Sequence, residues 1–533
     1  MSNDNRNWID KSDKLVLFSA LIILVTFIGW AMINPDGMFA VIGVVFNTLT
    51  GAFGWAYLLA GAVFLVFALW LAFGPFGNVK LGKDDEKPQY SFFSWFAMII
   101  ACGYGVGLVY WCVAEPLSFL QSPPFGAEPM TAAAAERAMA QSFFHWGWVP
   151  WAIYMTVAAP AGYFIYRKGE PPHFSTFLRP LFGDKVEGKA FRVLDGFLVY
   201  GVIGGVTTAT GLGIMQLAGG LNSLFGIPIT NMTYVVIGVC WAALFTASAV
   251  SGIDKGIKVL SNINIPLCIG IMIIVFILGP SSFIMNTTLS GVGDMLQNFP
   301  RMMLWTDSLQ TNYFPQWWTI FYWAWWIASA PSTGLFVAAV SRGRTFKEIV
   351  LVHLGAAPIA TWMWYGTFGS TAIDMELNQG VGLVESMNAN GTGSTVFTLL
   401  ERLPMGGVLS ALFLVLVFIF LATTVDSYSY VCAQVTTKKD GNPLFPPKPT
   451  RALWAVSIAT LAITLVLIAS GEITGLQTSS LVASIVITVV MVLMMVSMVK
   501  SLYDEFGEEI KEKRRMVSKK AVYIDDEPME KTN

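Results

Sequence analysis

Charge is scarce in this sequence. Asp, Glu, Lys and Arg make up 12% of its 533 residues, against 55% hydrophobic ones. A soluble domain carries roughly 25% charged residues, so a water-soluble fold is excluded, and a mean hydropathy of +0.61 assigns the chain to a lipid bilayer. Cysteine and histidine are sparse as well. Cys102, Cys112, Cys240, Cys268 and Cys432 all fall in apolar runs without metal-ligand spacing and read as small packing residues. His145, His173 and His353 form no paired motif. Gly291-Val-Gly-Asp294 has the pattern of an intramembrane aspartyl protease but lies in a stretch expected outside the membrane. With no nucleotide-binding, kinase-like or metal motif, neither an enzyme nor a nucleic-acid partner is expected. The net charge of -2 adds nothing.

What is abundant is apolar sequence long enough to cross roughly 30 Å of hydrocarbon as helix. Twelve such spans are read at about 15–34, 52–74, 92–113, 143–166, 193–219, 232–251, 258–279, 317–340, 347–370, 406–435, 452–470 and 475–499. The first has no small-residue cleavage site, so it is read as a span and not as a cleavable signal. Basic residues collect on the cytoplasmic side of membrane proteins. With the N-terminus inside, 29 of the 32 Lys and Arg lie in cytoplasmic segments, and only Arg137, Arg301 and Arg402 do not. An odd number of spans would scramble that split. The expectation is an all-α protein of the cell (plasma) membrane with both termini cytoplasmic: a tail over 1–14, two peripheral helices over 15–90, helical blocks over 91–279 and 317–499 separated by an external amphipathic segment at 280–316, and a tail over 500–533.

Four stretches carry chemistry. Trp317, Trp318, Trp323, Trp325 and Trp326 place five indoles in ten residues. Interfacial belts use Trp at helix ends, but this run continues inward, and helical periodicity spreads its rings around the axis. Packing with interface anchoring is one account. The other is a cluster of ring faces for a quaternary ammonium, which has no N–H to donate and is held by cation–π attraction. A second array, His145-Trp146-Gly-Trp-Val-Pro-Trp151-Ala-Ile-Tyr154, reads either as an interface belt or as a cavity wall opposite the first. Gly103, Gly105 and Gly107 stand two apart in mid-span. Each costs about 1 kcal/mol of helix, and the spacing suits a helix break exposing backbone carbonyls more than helix packing. Finally, Asp426 is the one intramembrane carboxylate recognised, following Thr423 and Thr424. It is expected to cap a neighbouring helix or pair with a basic loop, and the threonines are better ligands for a hard cation.

These motifs, with Ser341-Arg-Gly-Arg-Thr345 and Ser251-Gly-Ile-Asp-Lys255, resemble the betaine/carnitine/choline transporter (BCCT) family from the first span to the twelfth. The resemblance implies a leucine-transporter-like fold in which the blocks 91–279 and 317–499 are inverted five-helix repeats, usually in a homotrimer. It implies a substrate bearing a trimethylammonium or related onium group, held by Trp146, Trp151, Tyr154, Trp325 and Trp326, with Tyr110 a further wall. It also implies a sodium site made by the Ala101, Tyr104 and Phe420 carbonyls and the Thr423 and Thr424 hydroxyls. No other cofactor is implied.

Departures from the family pattern bear on substrate and coupling. Ser329 stands where an aromatic is usual, Tyr104 where methionine is common, and Gly107 where choline-type carriers have aspartate, which favours a zwitterion over bare choline. Val202 and Val206 occupy the threonine positions of a second sodium site. Sodium-independent carnitine exchangers use a methionine and an arginine as stand-ins for the ion; here the first position is Thr333, and 259–279 has no Lys or Arg. The expected activity is import of a betaine-like compound with sodium, the alternative being sodium-independent exchange.

Overall fold

In hydrocarbon a backbone amide finds no water, so an apolar chain must satisfy its hydrogen bonds within helices or a closed barrel. The structure, a computed structural model, describes residues 7–525 apart from 104, 252, 254, 255, 310 and 469–472, and leaves out the side chains of 473–482 and 513–525. Among the described residues the chain is helical, with only two isolated bridge pairs, Ser12 with Thr437 and Lys80 with Thr345. Nine helices are long and apolar enough to cross a membrane, or ten if one bent pair counts as a single span.

The long elements are α1 (Lys14–Ile33), α2 (Pro35–Phe73), the bent pair α3 (Phe92–Gly103) and α4 (Gly105–Gln121), α5 (Ala132–His145), α6 (Trp148–Gly162), α7 (Lys189–Phe225), α8 (Asn231–Ser251), α9 (Ile257–Leu278), α10 (Ser281–Leu304), α11 (Phe321–Val340), α12 (Phe346–Leu351), α13 (Ala357–Leu377), α14 (Gly406–Val435), α15 (Lys448–Ile468) and α16 (Ile473–Asp525). Helix occupies each of the twelve runs read from the sequence. The two that fall outside the apolar set are α6, which a π-helical turn over Tyr163–Arg167 completes, and α11, whose indoles lower its hydropathy. Both are almost wholly buried, and they pack against each other.

Three boundaries differ from the sequence reading. Pro35 at the first turn and the Asn34 side chain, which accepts from the Gly37 N–H at 2.9 Å, start α2 well before residue 52. The span expected at 143–166 is divided, because Gly147 leaves helical geometry (φ -102°, ψ -132°) and α6 restarts at Trp148, with Pro150 in its first turn. The span expected to end at 113 continues through Pro116 to Gln121, which brings Glu115 inside the buried helix.

Small residues let α7 run through the centre, with 94% of its most apolar window buried. A Cβ on Gly205 would meet Ser329 Oγ of α11 at 2.8 Å. On one face of the bundle, residues 79–81 lie antiparallel to 343–346, with Leu81 donating to Arg344 and Gly343 to Leu81, each at 2.8 Å. Gly343 there has φ +82°, which explains the glycine of the Ser341–Thr345 turn. Thr345 and Glu348 then close a capping box that starts α12. Lys438 N–H donates to Lys11 O and Arg167 pairs with Glu505 on the same face, which we call the basic face. The Gly291–Asp294 motif lies on amphipathic α10, where both oxygens of Asp294 accept from Arg137 Nη1, at 2.7 and 2.9 Å; the protease reading ends there. Of the cysteines, Cys102, Cys112 and Cys432 are buried, but Cys240 is exposed on the outer surface and does not pack as expected.

Candidate functional site

The five tryptophans around α11 divide by helical position. Trp317 is 47% exposed and lies on Phe46 of α2, as an interface ring would. Trp318 stacks with Tyr322 and meets Phe119 and Trp111 edge-on. Trp323 wedges against Phe144 and His145. Of the five, Trp326 meets Trp146 and Tyr154 of the second array, and Trp325 lies against Trp326.

There the rings form walls at steep angles. Trp146 meets Trp326 at 5.0 Å and 76°, Tyr154 meets Trp326 at 6.3 Å and 75°, and Trp151 meets Tyr154 at 5.9 Å and 79°. Trp325 lies parallel behind Trp326 (4.6 Å, 16°), and its indole N–H donates to Gly205 O at 3.2 Å, so it backs a wall and does not make a new one. Trp146 reaches this box from the α5–α6 junction, not from a continuous helix as its spacing to Trp151 and Tyr154 suggests. Tyr110 stands apart, its hydroxyl 2.5 Å from Thr392 Oγ1 and its ring against Trp111. All five box rings are at most 2% exposed.

The break between α3 and α4 bends the pair by 62°, with Gly105 at φ +39°. Each glycine of the run is needed for a close approach. A Cβ on Gly103 would lie 2.6 Å from Trp151, one on Gly107 2.9 Å from Trp146 and 3.2 Å from Trp325, and one on Gly105 2.1 Å from Thr424 Oγ1. The same segment therefore touches the aromatic box and the threonines of α14. Tyr154 hydroxyl donates to the Gly103 carbonyl at 3.0 Å, which ties a box ring to a carbonyl at the break.

At that break Thr424 Oγ1 is 3.3 Å from Ala101 O and 2.9 Å from Phe420 O, and Thr423 Oγ1 is 2.8 Å from Phe420 O. Threonines commonly bond back into their own helix, which accounts for the contacts to Phe420. The contact with Ala101 crosses between helices. Two carbonyls and two hydroxyls thus converge, all neutral oxygens of the kind a hard monovalent cation takes. Tyr104, expected as a further ligand, lies outside the described residues. Asp426 takes no part: it is buried and accepts a hydrogen bond from Ser248 Oγ of α8, a contact with a neighbouring helix's side chain and not a cap.

Glu115 was missed by the sequence reading. Fully buried, it accepts from Trp146 Nε1 at 2.6 Å, Tyr322 hydroxyl at 2.7 Å and Tyr365 hydroxyl at 3.3 Å, while His145 Nδ1 lies 2.9 Å from its other oxygen. One carboxylate joins α4, the α5–α6 junction, α11 and α13 and fixes a box ring. The signal was its place beside Pro116 after an apolar run, which read as a span end.

The profile of the family described as BCCT, betaine/carnitine/choline family transporter, matches residues 15–507. The chain belongs to this family. A protein named probable glycine betaine transporter from Desulfitobacterium hafniense (strain Y51) is 35% identical over 477 residues, 89% of this chain and 94% of its own. Glycine betaine transporter OpuD of Bacillus subtilis (strain 168) is 38% identical over 471 residues, 88% and 90% of the two chains. An ectoine/hydroxyectoine transporter of Virgibacillus pantothenticus is 37% identical over 465 residues, 87% and 91%. This BCCT protein is accordingly a membrane transporter and not an enzyme.

Proposed function

We propose that this transporter imports a betaine-like quaternary ammonium zwitterion together with sodium. The observation that carries the reading is the glycine run: Gly103 and Gly107 abut the box rings, while Gly105 abuts Thr424. A change in the broken segment that accommodates one ligand moves the wall of the other site, and this is the physical content of coupling. The methylated cation would sit among Trp146, Trp151, Tyr154 and Trp326, with Trp325 behind, each ring face contributing about 0.5–2 kcal/mol when desolvated. Sodium would take the oxygens of Ala101, Phe420, Thr423 and Thr424 together with Tyr104. The names of the relatives, two of them glycine betaine transporters and one an ectoine/hydroxyectoine transporter, support a zwitterionic solute.

The wider architecture belongs to the same proposal: twelve spans, with α3 to α9 and α11 to α16 as inverted repeats, alternating access by rocking of one bundle against the other, a homotrimer in the plasma membrane, and the basic face with both termini in the cytoplasm. Tyr110 is left out of the box, because its ring stands with Trp111 and Thr392.

Sodium-independent exchange is the second reading. Against it stand Thr333, whose hydroxyl is 2.9 Å from the Tyr428 hydroxyl, and the lack of any Lys or Arg over 259–279. Uptake of radiolabelled glycine betaine, carnitine and proline betaine into proteoliposomes, with an inward sodium gradient and again with potassium in its place, tests the choice. Uptake only with sodium supports symport. Uptake indifferent to sodium and accelerated by internal substrate would establish exchange.

A further inference from the structure

Beneath both sites, on the basic face, lies a cavity of about 340 Å³. Its walls include Tyr90 just before α3, Tyr166 in the turn that ends α6, Arg342 after α11, Tyr430 on α14 and Arg451 on α15. Apart from Arg451, these lie toward the near ends of helices that carry the box and the threonine oxygens. Tyr430 is six residues beyond Thr424, about 9 Å of helical rise, and Tyr166 is twelve beyond Tyr154. A small solute resting in the cavity is therefore at a separate stop from the box.

Arg451 sets this cavity apart. The residue is 9% exposed. Its Nη1 donates to Ala249 O at 2.8 Å and its guanidinium lies 5.9 Å from the Tyr430 ring centre, but its Nε hydrogen has no acceptor among the described residues. Arg342, by contrast, is half exposed and paired with Glu86. Asp426 of α14 accepts a hydrogen bond from Ser248 and is close enough to Arg451 to interact with it through space, but no direct ion pair joins the two among the described residues. A buried cation with an unmet donor is costly unless an anion meets it for part of the time. Guanidinium presents a planar fork that matches a carboxylate, and the Tyr90 and Tyr166 rings face Lys258 and Arg342 at 5.4 Å each, so the lining as a whole is cationic.

We propose that this cavity is an inner station for the zwitterion on its way to or from the cytoplasm, with Arg451 binding the carboxylate. The inference rests on the zwitterionic substrate proposed above and assigns to Arg451 a specificity role that the aromatic box cannot supply. It predicts sidedness: the station meets substrate from within, whereas substrate from outside meets the box first.

The test uses full-length protein in proteoliposomes of one neutral lipid composition. Half-saturation for glycine betaine is measured from outside (uptake) and from inside (efflux), with choline, which lacks the carboxylate, as an internal competitor. Arg451→Gln should raise the internal half-saturation for glycine betaine about tenfold or more, while the external value and the inhibitory concentration of choline stay within about twofold. Arg451→Lys, which keeps the charge and loses the fork, should show a smaller rise with the same sidedness, and it decides the matter if the glutamine variant does not insert. Equal shifts on both sides, an equal shift for choline, or no shift would overturn the station. Wild-type protein that carries no glycine betaine would overturn the substrate reading, and this inference with it.

Discussion

Replacing Gly105 by alanine strikes the proposed sodium site and spares the aromatic box, and replacing Gly107 does the reverse. At Gly105 the backbone has φ +39°, where a side chain costs about 1–2 kcal/mol. The new Cβ would lie 2.1 Å from Thr424 Oγ1, whereas ordinary contact begins at 3.4 Å. The hydroxyl must retreat by about 1 Å, and ion ligands tolerate about 0.2 Å. Loss of one oxygen, worth about 1.5–3 kcal/mol, corresponds to a roughly 10- to 100-fold higher sodium half-saturation. At Gly107 the neighbours are the far edges of Trp146 and Trp325, at 2.9 and 3.2 Å. Rings yield at their tips, so the expected cost is about 0.5–1 kcal/mol of cation–π contact, a two- to fivefold rise in substrate KM. The assay is initial-rate uptake into proteoliposomes, titrating sodium at fixed substrate and substrate at saturating sodium, so that linkage between the ligands does not blur the two constants. A Gly105→Ala protein that transports with unchanged sodium half-saturation refutes the ion site. If both variants raise both constants alike, the separation of the two sites is wrong.

Trp326→Ala removes the wall that both Trp146 and Tyr154 meet edge-on, and should raise substrate Kd at least tenfold, against less than threefold for Trp318→Ala; equal losses by equilibrium binding would count against the box. Glu115→Ala strips the acceptor from Trp146, Tyr322 and Tyr365, at about 1–3 kcal/mol for each buried donor left unmet. Its substrate affinity and melting temperature should both fall, with Glu115→Gln in between, and a binding titration beside a detergent melt checks this. Outside the membrane, burial raises the Asp307 pKa, but the hydrogen bonds from Thr311, Asn312 and Tyr313 outweigh it and hold the carboxyl below its ordinary value. The stability this supplies is present above the ordinary carboxylate range and lost as pH falls through the lowered value. Asp307→Ala should therefore destabilise by about 1–2 kcal/mol at pH 7, and melts below pH 4 should show the gap to wild type closing; a gap independent of pH would refute the assignment.

Much of the fold was legible because hydrocarbon leaves few options. Apolar runs of membrane length must be helical, and among the described residues helix occupies each of the twelve, nine or ten of them as elements long and apolar enough to cross a membrane. Boundaries failed where one residue outvoted composition: Gly147 divides a run that reads as continuous, and Asn34 with Pro35 starts α2 early. The helix break at the glycine run was legible from local chemistry, since glycines two apart cost helix without offering a packing face. Tyr110 was not separable from the box by sequence, because ring type says nothing of which neighbour a ring meets. Glu115 was invisible for a related reason: a glutamate before proline reads as the end of a span, and only its four partners from three other segments show why the helix keeps it inside.

Composition and periodicity, then, suffice for what depends on each residue's own preference for lipid or water: a helical membrane protein, its long apolar helices, and aromatic and glycine-rich stretches too costly to be filler. Which of five neighbouring tryptophans meet the rings of α6, which oxygens of α3 and α14 approach each other, and which arginine lines a cavity depend on distances between segments hundreds of residues apart. Those distances are set by how the helices pack, a property of the assembled bundle that no single stretch of sequence carries.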